Sequence, residues 1–354
     1  MITRKNYYML DITKFIFALL LISAHFAAER GNFKGVIDLA FSLYIFAVPF
    51  FFTCSGFLFF NKLNKLSVKD KQKNYLISYE KRIFIMYGLW SVLYYIFILC
   101  DWFLNGTTLS VVFKQIHTSI VFTTYATIWY LPALGFSIAF VYFIKNLKAW
   151  KLILIMVLLY IFSAAGYTYR GLTASFEQFS EIIDVYSTIF VTTRNGLFNG
   201  VPFVIVGLFI ANAETEKKSE NPSVIPLVAF LIVTSIISIA EAFIAKKYFI
   251  GDGPGVDVLF FMLPTQYFLV KSLIAFELDK KKIYTYFRKL SILMFTTQRI
   301  FLTALPTILP NEGYMNYFSQ HSYIGLILII FMIIAFDLCI IYASKKIKFL
   351  NNLL

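Results

Sequence analysis

Three residues in the first apolar stretch of this chain have types and spacing that suit chemistry. The stretch reads LDITKFIFALLLISAHF and carries Asp11, Lys14 and His25. An ionisable group inside an apolar, membrane-length helix is costly and marks a functional site by default. On a helix the three residues fall on one side, and Lys14 lies about three turns, roughly 16 Å, from His25. One face thus carries a cation near one end and an imidazole deep inside. Imidazole, with an unperturbed pKa near 6.5, accepts a proton from a hydroxyl at neutral pH. In apolar surroundings it stays neutral unless paired, which suits a general base. A packing histidine bonded to a neighbouring helix is the competing reading.

Lys14 and Asp11 also read two ways. One is a snorkelling cation with a local partner at the helix entrance. The other is a seat for a phosphate-bearing donor. An acyl-CoA has a charged nucleotide head and a thin pantetheine arm, of the length needed to run from Lys14 to His25. Arg82, beside Lys81 at the entrance of the third apolar stretch, adds a guanidinium of the kind that forks on phosphates. It is equally a positive charge of the cytoplasmic side. Trp129 and Tyr130 open the fourth stretch, where anchoring in the aromatic belt is the default. Arg194, Asn195 and Asn199 cluster at the sixth, Asp257 and Gln266 flank Pro264 in the eighth, and Gln298 and Arg299 lie in the outer half of the ninth. Together they form a polar outer cavity for a hydroxylated acceptor; separately, each is an ordinary interhelical contact. Glu241 and Asp337 are read as structural. No metal is expected, because His117 and His321 have no carboxylates at ligand spacing and Cys54, Cys100 and Cys339 are scattered.

The elements that must position these residues follow from composition. The chain has 354 residues, 59% of them hydrophobic and 19% aromatic, with a mean hydropathy of +0.74. This is an all-α polytopic integral membrane protein forming a single membrane domain over residues 1–354. Its apolar runs are continuous rather than alternating, which excludes a barrel. Ten spans are expected, at 12–29, 38–60, 83–103, 128–144, 151–168, 196–211, 224–244, 255–276, 290–309 and 322–343. The first is a retained span rather than a cleaved leader. Residues 104–127 read as an interfacial or re-entrant piece, and residues 169–195 as a cap over the outer mouth. With the N-terminus inside, this arrangement puts most of the 32 basic residues on the cytoplasmic side, so both termini are cytoplasmic. The formal net charge of +13 then needs no nucleic acid. No inverted repeat of the transporter kind is evident.

The segments LDITKFIFALLLISAHF, VPFFFTCSGFLFF, KRIFIMYGLWSVLYY, IWYLPAL and RNGLFNGVPFVIVGLFIA resemble the type-three family of membrane acyltransferases over nearly the whole chain. These are ten-span proteins that O-acylate cell-surface glycans, peptidoglycan, lipids or small molecules. The resemblance implies that His25 is the catalytic base. It assigns Lys14, where many members carry Arg, and Arg82 to the acyl-CoA phosphates, and Asp11 is expected beside them in the cofactor-binding set. Many members carry a histidine in the ninth span where this chain reads LMFTTQRIF, with Gln298 at the matching place. In some glycopeptide-resistance proteins a similar membrane module is fused to a serine-racemase domain, and no such domain is expected here. The function expected is an acyl-CoA-dependent O-acyltransferase of the cell membrane, probing its acceptor with Trp129, Tyr130, Arg194, Asn199, Gln298 and Arg299. The acyl group is most simply acetyl. The acceptor is a glycan, a lipid-linked sugar or a small hydroxylated molecule. A transporter or flippase of a small polar or lipid-linked solute is the alternative, and a non-catalytic scaffold a third reading.

Overall fold

A computed structural model describes residues 6–30, 43–216, 223–308 and 322–354. His321 and the start of the second expected span, 38–42, lie outside the described residues. Every regular element among those described is helical. The long helices are α1 (Tyr8–Arg30), α2 (Ala47–Leu63), α3 (Lys69–Leu104), α4 (Leu109–Val121), α5 (Tyr130–Ile144) and α6 (Ala149–Gly166). They continue with α7 (Glu177–Phe190), α8 (Val201–Glu216), α9 (Val224–Tyr248), α10 (Met262–Ala275), α11 (Lys282–Arg299) and α12 (Ser322–Ala343). Two single π turns, Gly196–Gly200 and Ile300–Ala304, precede α8 and follow α11.

Eight helical stretches among the described residues are long and apolar enough to cross a membrane. They coincide with eight of the ten expected spans. The expected eighth span, 255–276, is shorter than its hydropathy suggests. Turns around Gly251 and Gly253 occupy the chain up to Phe261, and the 14-residue α10 rises only about 21 Å against a ~30 Å hydrocarbon core. The expected ninth span is helical through α11, its π turn and Leu305–Ile308. The apolar content of α11 is diluted by Lys282, Arg288, Lys289 and the run Thr296-Thr297-Gln298-Arg299.

The chain packs as two compact units. The first takes the described residues up to Ala47, with Arg82–Leu131 and Leu278–Leu354. Its centre is α1 against α11. The two helices run parallel: Tyr8 meets Tyr284 with ring centroids 5.0 Å apart, Phe15 stacks on Phe287 at 4.7 Å, and contacts continue in the same order toward both C-termini. Leu10, Ala18, Leu21, Ile22 and Phe26 of α1 are buried, as are Leu290, Leu293, Met294 and Phe295 of α11. α12 contributes a stripe at helical spacing, Gly325, Ile329, Ile333, Asp337 and Ile341. One position of that apolar stripe is an acid. α4 buries none of its residues and exposes Leu109, Phe113 and Ile120, the surface of a helix made to lie in an interface.

The second unit takes Val48–Lys81 and Pro132–Glu277. α8 is its core, with Val201 to Leu208 buried without a break, as expected for a helix apolar on all sides. α2 approaches it along Gly56 and Gly207. A Cβ on Gly207 would sit 2.5 Å from the Thr53 carbonyl oxygen and 2.6 Å from the Phe57 nitrogen. Both are backbone atoms with no rotamer to yield. Gly207→Ala is therefore expected to lower stability by about 1–3 kcal/mol through overpacking, seen as a lower midpoint of thermal unfolding in detergent; an unchanged midpoint would refute the seam. Asn195 starts the first π turn, its Oδ1 accepting from the Leu197 and Phe198 N–H groups at 3.0 and 3.2 Å. Glu241 of α9 caps α10: its carboxylate accepts from the N–H groups of Phe260 and Phe261, at 2.6 and 3.0 Å, and from the Tyr169 hydroxyl. Burial, and then that carboxylate, push the Tyr169 phenol above its usual pKa.

Candidate functional site

The first unit gathers most of the residues that the sequence singles out. α1 supplies Asp11, Lys14 and His25 on the side that meets α11, which answers two of the three. Near the start of α11, Arg288 forks on Asp11: Nε donates to Oδ1 at 2.9 Å and Nη2 to Oδ2 at 2.6 Å. Asp11 is buried, its side chain 4% exposed, whereas the Arg288 side chain is 49% exposed. Such a forked, charge-assisted pair fixes the guanidinium plane. Near the end of α11, the Gln298 amide oxygen lies 2.8 Å from His25 Nδ1.

That second contact selects a tautomer. Gln298 Nε2 donates to the Phe295 carbonyl at 3.2 Å, so Oε1 is the amide atom turned to the ring. An amide oxygen only accepts; Nδ1 of the neutral imidazole therefore carries the proton and Nε2 the lone pair. The sequence offers a histidine, while the fold assigns its basic nitrogen.

Gln298 is itself held in a braced segment. The Tyr94 hydroxyl of α3 donates to the Thr296 carbonyl at 2.6 Å. Thr297 donates its hydroxyl to Asp337 Oδ1 of α12 at 2.9 Å. Three consecutive residues of α11 are thus tied to three different helices. The π turn begins immediately after, at Ile300, and a π turn disturbs the regular carbonyl ladder, commonly at functional sites. Tyr94 stacks on Tyr125 at 4.5 Å, and the Tyr125 hydroxyl donates to Thr303 within that turn at 3.0 Å. Asp337 is fully buried, and its Oδ2 makes no hydrogen bond among the described residues. Asp337 and Tyr94 extend the site beyond the residues read from the sequence. A mid-span acid was the available signal for Asp337; an aromatic in an apolar helix gave none for Tyr94.

The remaining expected residues are distributed. Tyr130 packs edge-on against Phe295, centroids 5.2 Å apart, one turn before Gln298, and Trp129 stacks on Phe122. Both are buried. Arg299 closes α11, half-buried, its carbonyl accepting from the Thr303 hydroxyl. Lys14 is half-buried on the shoulder of the same α1 face, and its ammonium makes no hydrogen bond or ion pair among the described residues. Arg82 is exposed at the start of its apolar run and donates to the Leu354 carbonyl at 3.3 Å rather than to α1. Arg194 and Asn199 belong to the second unit. Arg194 pairs with Asp257 at 3.2 Å and lies 5.5 Å over the Tyr167 ring. Asn199 is buried in the first π turn, its Oδ1 without a hydrogen bond among the described residues.

A family model described as an acyltransferase domain matches residues 7–347. The chain belongs to the type-three membrane acyltransferase family. It is a multi-pass membrane protein by that membership, with a part-buried histidine, hydrogen-bonded to Gln298, in its first span. It is also similar to an "Amino-acid racemase" of Enterococcus faecalis, 29% identical over 230 residues, which is 62% of this chain and 30% of that protein. No solved structure matches it.

Proposed function

We propose that this acyltransferase moves an acyl group, most simply acetyl, from cytosolic acyl-CoA to a hydroxyl of an extracytoplasmic or lipid-linked glycan or a small acceptor. The observation that carries the reading is the Gln298–His25 contact at 2.8 Å, which makes Nε2 the ring's base. Nε2 takes the proton of the acceptor hydroxyl as its oxygen attacks the thioester carbonyl. The carbon–sulfur bond breaks, and the imidazolium returns the proton to the departing thiolate. With both termini cytoplasmic, the Lys14 end of α1 opens to the cytosol and the His25 end lies toward the outer face. The donor arm then runs up the shared face of α1, and the acceptor comes from the opposite side.

Family membership supports acyl transfer; the Lys14 ammonium, without a partner among the described residues, supports a phosphate-bearing donor. The test is release of free thiol by the purified protein from acetyl-CoA, with and without a hydroxylated acceptor. Acceptor-stimulated release is expected. Solute uptake into vesicles with no thiol release would replace this reading by that of a transporter.

A further inference from the structure

Asp11 lies on the face that the donor must use, yet a buried carboxylate repels phosphate. Its geometry gives it another task. Both of its oxygens are engaged by one guanidinium, that of Arg288. The alignment of α1 with α11 says where that guanidinium goes. Phe15 is level with Phe287 and His25 with Gln298, so the Arg288 backbone lies near the level of Phe15. Asp11 is about one turn, ~6 Å, nearer the start of α1. The Arg288 side chain therefore runs back along the pair, past the level of Lys14, to reach Asp11. Side chains on a helix tilt toward its N-terminus, a rule that directs Lys14 toward that same end. Two cations from two parallel helices thus converge at the same end of the α1–α11 pair. One is half exposed and held flat by a buried acid; the other has no partner among the described residues. Lys280, Lys281 and Lys282, all exposed, lead into α11 at that end. An Arg fork and a Lys point charge together are what a phosphate group is bound by.

We propose that Arg288 is a phosphate-binding residue, with Asp11 as its positioning residue, and that Arg288 and Lys14 form a two-cation seat for the phosphates of the nucleotide thioester. The proposal rests on the acyl-CoA reading above. It gives Asp11 an indirect role in donor binding, and it adds a contact 274 positions away from Lys14 in sequence.

Three probes separate the parts: coenzyme A, dephospho-coenzyme A and pantetheine, titrated into the full-length protein in detergent. The native protein binds coenzyme A most tightly, with an affinity that falls as salt rises. Arg288→Gln weakens coenzyme A about tenfold or more and leaves pantetheine unchanged. Because Arg288→Gln also strands the buried Asp11, the double variant D11N/R288Q removes both charges. If Arg288 serves only as the counter-ion of Asp11, the double variant recovers native affinity for coenzyme A, and the inference is overturned. If it binds phosphate, the double variant stays as weak as Arg288→Gln. Lys14→Gln weakens the same two phosphate-bearing probes and flattens the salt dependence. A native protein that binds none of the three defeats the acyl-CoA reading itself, and this inference with it. Native coenzyme A binding that survives in D11N/R288Q defeats the inference alone.

Discussion

His25→Ala is expected to reduce acyl transfer by about 10²–10⁴-fold, the range attributable to a positioned general base, while coenzyme A still binds. The separation follows from the layout. In the proposed seat the donor's phosphates meet Lys14 and Arg288, about three turns from the imidazole, so removing the ring leaves that end intact. Thiol release from acetyl-CoA in the presence of acceptor reads the first quantity and titration with coenzyme A the second. His25 is partly exposed within the site, so the truncation opens space beside Gln298 rather than collapsing the α1–α11 interface. That interface is carried by Leu10, Leu21, Ile22 and Phe26. A variant with native thiol release would remove His25 from the chemistry.

Gln298→Leu is expected to lower transfer by about 10–100-fold with His25 still present. Leu fills a similar volume but cannot accept the Nδ1 proton. The ring then loses its tautomer preference and its rotational anchor, and an N–H in low dielectric is left unsatisfied. Small misplacements of a reacting group are worth factors of this size. Gln298→Glu keeps an accepting oxygen at the same reach, so it retains more activity than Gln298→Leu. The order Gln, Glu, then Leu in thiol release is the signature of an acceptor requirement. Equal activity in the Leu and Glu variants would mean that the contact only fills space.

Much of this arrangement was legible in the sequence. The continuous apolar runs set the membrane class, and eight of the ten expected spans recur as helices with the required length and hydropathy. The side of α1 shared by Asp11, Lys14 and His25 follows from the 3.6-residue period alone. The expected span at 255–276 is helical only from Met262; hydropathy sums side chains and does not see the turns at Ile250–Gly253 and Leu259–Met262 that precede α10. The ninth expected span is helical up to Ile308 but is not among the eight, because the run from Thr296 to Arg299 is polar, although Thr296, Thr297 and Gln298 are buried by packing.

What no local pattern supplied was the partner of each ionisable group. Asp11 meets Arg288 277 positions away and His25 meets Gln298 273 away, while Asp337 finds Thr297 across 40. Periodicity and hydropathy treat every helix as an isolated rod in lipid, and they fix which of its faces is polar. Which rods stand side by side, and in parallel, depends on close packing summed over the whole bundle. Only that packing set one histidine against a glutamine oxygen and made one acid the holder of a distant arginine.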